Sequence, residues 1–142
     1  MSDSQKIIIH TDGGARGNPG PAAIGAVVLI GSKIKKYNER IENTTNNIAE
    51  YKAVIFALKK VKQLIGKKNS KEIEVELYTD SELVYKQING LYKVKDKGLI
   101  PLFIEVWNKK QDFGKVTIIH NPRESNKEAD KLVNQALDTL GI

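Results

Sequence analysis

Three extended segments crowd into the first 42 residues before any helical period begins, and this order narrows the possible folds more than any other feature of the chain. Residues 6–11 carry the run Ile7-Ile8-Ile9 and read as a central strand buried on both faces. The stretch Gly13-Gly14-Ala15-Arg16-Gly17-Asn18-Pro19-Gly20-Pro21 reads as a turn, residues 22–30 as a β-branched strand, and residues 33–42 as a more polar edge strand. The period then changes. Tyr51, Val54, Ile55, Leu58, Val61 and Ile65 recur at helical spacing, which predicts an amphipathic helix over 46–64 behind an N-cap at Thr44 or Thr45. An alternating strand over 72–79, a short helix over 81–89, a basic loop over 90–98, a helix over 99–111 and a strand over 116–119 follow. A helix over 124–140 ends the chain, with Ala129, Leu132, Val133, Ala136, Leu137 and Leu140 on one stripe. The order βββ-α-β-α-α-β-α predicts an α/β fold: one five-stranded mixed sheet, an antiparallel meander plus two parallel strands, with helices on both faces.

A length of 142 residues suits one domain spanning 1–142. The absence of cysteine excludes thiol catalysis, thiolate zinc sites and disulfides and fits a reducing compartment; two histidines are too few for a histidine-rich metal site. Apolar runs fall far short of the roughly 18 residues of a membrane span, so a soluble cytoplasmic protein with no membrane partner is expected. The net charge of +6 suits a polyanionic partner, and a solvated lysine surface would give the same number.

Two acids stand at strand ends. Asp12 closes the first strand and Asp80 the fourth, where open α/β sheets form sites, although each could equally serve a turn or a helix cap. Two more sit on helices. Glu50 shares a strip with Val54, Leu58 and Val61, and Asp130 with Val133 and Leu137, so both point along the edge of a buried face. Half-buried acids without a paired arginine are expensive unless a cation compensates them, and hard oxygen donors favour magnesium or manganese over zinc.

The segments Thr11-Asp12-Gly13-Gly14-Ala15-Arg16-Gly17-Asn18-Pro19-Gly20, Thr44-Thr45-Asn46-Asn47-Ile48-Ala49-Glu50, Tyr78-Thr79-Asp80-Ser81 and Asn126-Lys127-Glu128-Ala129-Asp130 resemble, in order, the four acidic motifs of type-1 ribonuclease H. The resemblance spans almost the whole chain. It implies the RNase H-like fold and an endonuclease that cuts the RNA strand of an RNA–DNA hybrid, leaving 5′-phosphate and 3′-hydroxyl ends. Asp12, Glu50, Asp80 and Asp130 would hold two ions, Mg2+ or alternatively Mn2+, about 4 Å apart. Clustered acids repel, so some should have raised pKa values without metal.

The same resemblance assigns substrate contacts to Gly13, Gly14, Asn18, Thr45, Asn46 and Asn47. The asparagine amides suit 2′-hydroxyls and base edges, and Thr45 at a helix start suits a DNA phosphate. His120, ten residues before Asp130, matches a histidine that assists proton transfer in many bacterial members. Here Asn121-Pro122-Arg123 replaces the glycine-rich loop that follows it, and Arg123 could itself meet a phosphate. The segment 90–98 is shorter than the basic handle of some bacterial members, yet Lys86, Lys93, Lys95, Lys97 and Tyr92 could still touch the DNA strand. Nothing before Lys6 suggests a separate hybrid-binding domain, and a monomer is expected. Trp107, at helical spacing with Leu102, Phe103 and Val106, is expected in the core.

Other readings stay open: a hybrid-binding protein without catalysis, or a transposase or Holliday-junction resolvase of the wider fold. Neither accounts for the four acids together with Asn18, Asn46 and Asn47. A P-loop is unsupported, since no Gly-Lys-Ser/Thr sequence is present.

Overall fold

A computed structural model describes residues 6–139. Its sheet is built from β1 (Lys6–Ala15), β2 (Gly20–Ile30), β3 (Lys33–Thr44), β4 (Glu74–Thr79) and β5 (Lys115–His120), in the order β3-β2-β1-β4-β5. β1 pairs antiparallel with β2, and β2 with β3, while β4 pairs parallel with β1 and β5 with β4. The mixed sheet expected from the order of periods is present. The polar β3 lies at its edge, where unpaired backbone groups can meet water.

Helix α1 (Asn46–Ile65) and the shorter α3 (Glu82–Ile88) and α4 (Ile100–Lys110) cover one face of the sheet. Helix α5 (Lys127–Asp138) packs on the other, over the meander. Alternation along the strands sorts the core. Ile7 and Ile9 of β1 and Val75 and Leu77 of β4 point toward α1, where Tyr51, Val54, Leu58 and Val61 are fully buried. Ala23 of β2 points the other way, to Val133, Ala136 and Leu137 of α5.

Two glycines permit unusually close helix-to-strand seating. A side-chain carbon on Gly13 would stand 2.2 Å from the Ala49 carbonyl oxygen, so only glycine lets β1 touch the first turns of α1. Gly25, the register partner of Asp12, plays the same part for α5: a side-chain carbon there would stand 2.7 Å from the Ala129 carbonyl oxygen.

Several boundaries differ from the sequence reading. The first strand does not close at Asp12. It runs on to Ala15, because Gly13, Gly14 and Ala15 stay paired with Ile24, Ala23 and Ala22, and the turn shrinks to residues 16–19. A four-residue helix α2 (Lys67–Ser70), unforeseen in the lysine-rich segment, follows Gly66, and the Ser70 hydroxyl donates to the Gly66 carbonyl. The last helix is split. A 3-10 turn (Arg123–Asn126) precedes α5, with Asn126 leaving helical geometry to bond β1; Leu140 lies outside the described residues.

Trp107 is not core. It is 55% exposed, because α4 presents Val106 to the interior and the next residue, about 100° further round, faces out. No helix among the described residues is long and apolar enough to cross a membrane.

If the α5 seat is as close as this, Gly25→Ala should destabilise the protein by about 1–3 kcal/mol, the usual range for overpacking. A urea titration reads this as a lower midpoint at unchanged slope. An unchanged midpoint would contradict the close approach.

Candidate metal centre

The parallel pairing of β1 with β4 ends at His10 opposite Tyr78. Asp12 continues along β1 past that point, Asp80 leaves the end of β4 beside it, and α1 brings Glu50 over the junction. Carboxylate oxygens of Asp12, Glu50 and Asp80 lie within 4.8 Å of one another. Asp130 enters from α5 on the other side of the sheet. It lines the same cleft of about 370 Å3 as Asp12 and Glu50, close enough to Asp12 to hydrogen-bond it when one of the two holds a proton.

Local bonds explain these positions. The Gly13 N–H donates to Glu50 Oε1 at 3.1 Å, so the glycine that admits α1 also holds its acid. Asp80 is not the cap of α3: Ser81 takes that duty, its hydroxyl accepting from the Val84 N–H at 3.1 Å. Asp80 Oδ2 is left buried without a hydrogen-bond partner. Asn126, almost wholly buried, donates to the Thr11 carbonyl at 2.8 Å and so ties the start of α5 to β1 one residue before Asp12. The sequence reading quoted Asn126 only as part of a motif. Only the fold shows that it bonds a strand more than a hundred residues away.

Burial is the main force on these acids. It pushes Asp12 up to about 8, helped by the charges of Asp80 and Asp130 and opposed by the Gly13 N–H. Burial likewise raises Glu50 well above the usual carboxylate range, with the charges of Asp12 and Asp80 adding to it. Among the described residues no lysine or arginine forms an ion pair with any of the four acids; Arg16, close by, pairs instead with Asp138. An all-oxygen donor set, an orphaned buried carboxylate oxygen and the lack of a neutralising cation together fit a hard divalent metal ion.

The surrounding residues divide by geometry. Asn18 Oδ1 accepts from the Asn46 N–H at 2.9 Å, and Asn46 Oδ1 accepts from the Ala15 N–H at 2.8 Å. Both amide oxygens are thus turned inward, stitching the 16–19 turn to the head of α1, and the NH2 ends are left as the outward groups. Thr45 caps α1 by accepting from the Ile48 N–H, and Asn47 is exposed beside it. The Gly13 N–H is taken by Glu50, so Gly13 seats a helix and has no amide left for a substrate, whereas Gly14 lines the cleft. Arg123 lines the cleft as well. His120 does not. It ends β5 opposite Thr79, exposed, with its ring 5.7 Å from that of Tyr85.

A family model described as reverse transcriptase-like matches residues 10–136. A ribonuclease H of Clostridium botulinum is 31% identical over 97% of this chain and 99% of its own length. The chain belongs to the ribonuclease H family. Among solved structures, a ribonuclease H1 isolated from compost, crystallised in complex with an RNA/DNA hybrid, superposes with a TM-score of 0.89 at 42% identity, over 96% of this chain and 99% of that one. A bifunctional protein of Mycobacterium tuberculosis is 35% identical over 94% of this chain, which spans only 36% of that relative's length. The solved N-terminal ribonuclease H domain of the mycobacterial protein matches with a TM-score of 0.85 at 36% identity, over 96% of both chains. The ribonuclease H fold, with its five-stranded mixed sheet, is therefore the frame that carries the acidic cluster.

The raised acids have a pH consequence. A carboxyl whose folded pKa lies above its unfolded value binds more protons when folded, so stability is lost as pH rises through the interval between the two. With divalent metal chelated, unfolding free energy should fall between about pH 4 and about 8 and then level off. Asp12→Asn should flatten that slope in urea titrations run across this range. A wild-type stability that climbs over the same interval would contradict the assignment.

Proposed function

We propose that this ribonuclease H-family chain hydrolyses the RNA strand of RNA–DNA hybrids using two divalent cations, Mg2+ or alternatively Mn2+, and leaves 5′-phosphate and 3′-hydroxyl ends. The observation that carries this reading is the convergence of Asp12, Glu50 and Asp80, from three separate elements, onto one point, with no ion pair to a lysine or arginine among the described residues. Asp12, Glu50, Asp80 and Asp130 would hold the ions, which supply a more acidic attacking water and charge stabilisation at the departing 3′ oxygen. The hybrid bound to the structurally similar compost enzyme supports the choice of substrate.

The chain's own residues would do the rest. The outward NH2 groups of Asn18 and Asn46 can donate to 2′-hydroxyl oxygens, and Asn47 can both donate and accept at the same edge. Because their amide oxygens are occupied, Asn18 and Asn46 read a hydroxyl as an acceptor. The Thr45 hydroxyl, whose oxygen already accepts from Ile48, retains its proton for a DNA phosphate at the head of α1. Arg123 lines the cleft and can meet an RNA phosphate, while His120 ends β5 opposite Thr79, the residue before Asp80, and so stands on the Asp80 side of the centre. Lys93, Lys95 and Lys97 are exposed and free of ion pairs among the described residues, and we assign them to the DNA strand. Lys86 is engaged otherwise, bonded to Glu82 at 2.8 Å and lying over the Tyr92 ring. All four carboxylates come from one chain, so a single chain is the proposed catalytic unit.

Matched RNA–DNA, RNA–RNA and DNA–DNA duplexes incubated with Mg2+ or Mn2+ test this directly. The hybrid should be cut in its RNA strand, and Asp12→Asn should lower the rate by about 100–1,000-fold, several kcal/mol at about 1.4 kcal/mol per decade. An intact hybrid in both cases would leave a binding protein without catalysis. Asn47→Ala should weaken cleavage while melting as wild type does, and Asn46→Ala should weaken it without unfolding the domain, with a lower melting temperature from the lost Ala15 bond; equal cleavage by all three would remove the 2′-hydroxyl reading.

A further inference from the structure

The loop between α3 and α4 carries the free lysines assigned above to the DNA strand, yet it has no regular structure of its own. What fixes it is a pair of hydrogen bonds, one buried and one partly buried. The Tyr51 hydroxyl, on a residue with no exposed surface, donates to Gln87 Oε1 at 2.7 Å. Gln87, 5% exposed, passes its own NH2 to the Lys93 carbonyl at 3.2 Å. A glutamine amide can accept from a phenol and donate to a carbonyl at once, without carrying charge.

The rest of the loop follows from that anchor. The Leu91 and Tyr92 N–H groups close back onto the Lys86 carbonyl at 2.8 and 3.2 Å, so the chain turns along α3. Val94 packs into the core between the exposed Lys93 and Lys95. At the far end, the Asp96 carboxylate accepts from the Gly98 N–H at 2.7 Å, and a side-chain carbon placed on Gly98 would stand 3.7 Å from Ile48 Cδ1. The loop therefore ends against the first turn of α1, beside Asn46 and Asn47, and Tyr51 is the residue after Glu50 on the same helix.

We propose that Gln87 is a positioning residue that clasps the basic loop to α1 and thereby sets how tightly, and not how fast, the enzyme engages its hybrid. It touches no reacting atom. It holds the Lys93 backbone in register with the helix that carries Asn46, Asn47 and Glu50, so that lysines and amides meet one duplex together. Without the clasp, the Lys93 carbonyl and the buried Tyr51 hydroxyl each lose a partner, and the loop must reorder before its lysines can reach phosphates.

This inference rests on the proposed hybrid cleavage and on the assignment of Lys93, Lys95 and Lys97 to phosphate. Steady-state kinetics on an RNA–DNA hybrid at several salt concentrations, with melting curves, separates the possibilities. Gln87→Met keeps the volume and removes both bonds; Tyr51→Phe removes only the first and is the milder test of folding. Both should raise KM several-fold while kcat stays within about twofold. Gln87→Met should also make the salt dependence of hybrid engagement shallower by about one phosphate contact or more. The double variant should be no worse than Gln87→Met alone, because the bonds form one chain.

Lowered melting temperature with KM and salt dependence unchanged in both variants would overturn the proposal, leaving Gln87 a purely structural residue. The triple variant Lys93→Ala, Lys95→Ala, Lys97→Ala supplies the other check. If its KM and salt dependence match wild type, the loop is not a phosphate contact and the clasp has nothing to position. Failure of the wild-type protein to cut any hybrid would instead remove the functional reading itself.

Discussion

The repulsion among buried carboxylates is the constraint around which this molecule is arranged. Asp12, Glu50 and Asp80 approach within 4.8 Å of one another in a site that disfavours their charge, so the ionised acids do not hold themselves together. The backbone does. Gly13 admits α1 to van der Waals contact with β1 and donates its N–H to Glu50, Gly25 admits α5 to β2 opposite Asp12, and Asn126 ties the start of α5 to Thr11. Close seating of a helix on each face of β1 is what allows a strand, a strand end and two helices to contribute to one centre. The hydrophobic core on the α1 face supplies the rigidity that this arrangement requires.

The electrostatics of the chain then separate in space. An acidic centre suits divalent cations but repels phosphates, and the positive surface must compensate at a distance. The net charge of +6 accommodates this, with lysines on the 90–98 loop beside the amides at the head of α1 and Arg123 within the cleft. Under the proposed function, recognition and chemistry fall to different groups: neutral amides and lysines for the duplex, carboxylates for the cations. The Tyr51–Gln87–Lys93 clasp joins the two, since it runs from the helix that bears Glu50 to the loop that bears the lysines.

Much of the fold was legible because hydrophobic period is a local property. The switch from alternating to helical spacing at residue 46 placed α1, and the βββ start implied the meander. The acids at strand ends and on helix flanks could be picked out in the same way. What escaped was set by distant partners. Glycine richness at Gly13 and Gly14 signals a turn locally, yet both residues stay in β1 because β2 pairs with them and α1 needs the space. Trp107 has core spacing, but α4 is short and buries only one narrow stripe, leaving Ile100, Ile104 and Trp107 outside. The family resemblance assigned the asparagine amides to 2′-hydroxyls and base edges; the hydrogen bonds of Asn18 and Asn46 leave their donors facing out. Asp80 could locally serve as a helix cap or a site residue, and Ser81 takes the cap.

If the four carboxylates are held together to bind divalent cations, the melting temperature of the protein above pH 8 should respond as Mg2+ is titrated in. Ligand that binds only the folded state stabilises it in proportion to RT ln(1 + [L]/Kd), so the wild-type midpoint should rise with Mg2+ and Asp12→Asn should lose most of that rise. A wild-type midpoint indifferent to Mg2+ and Mn2+, or an equal rise in Asp12→Asn, would contradict the account.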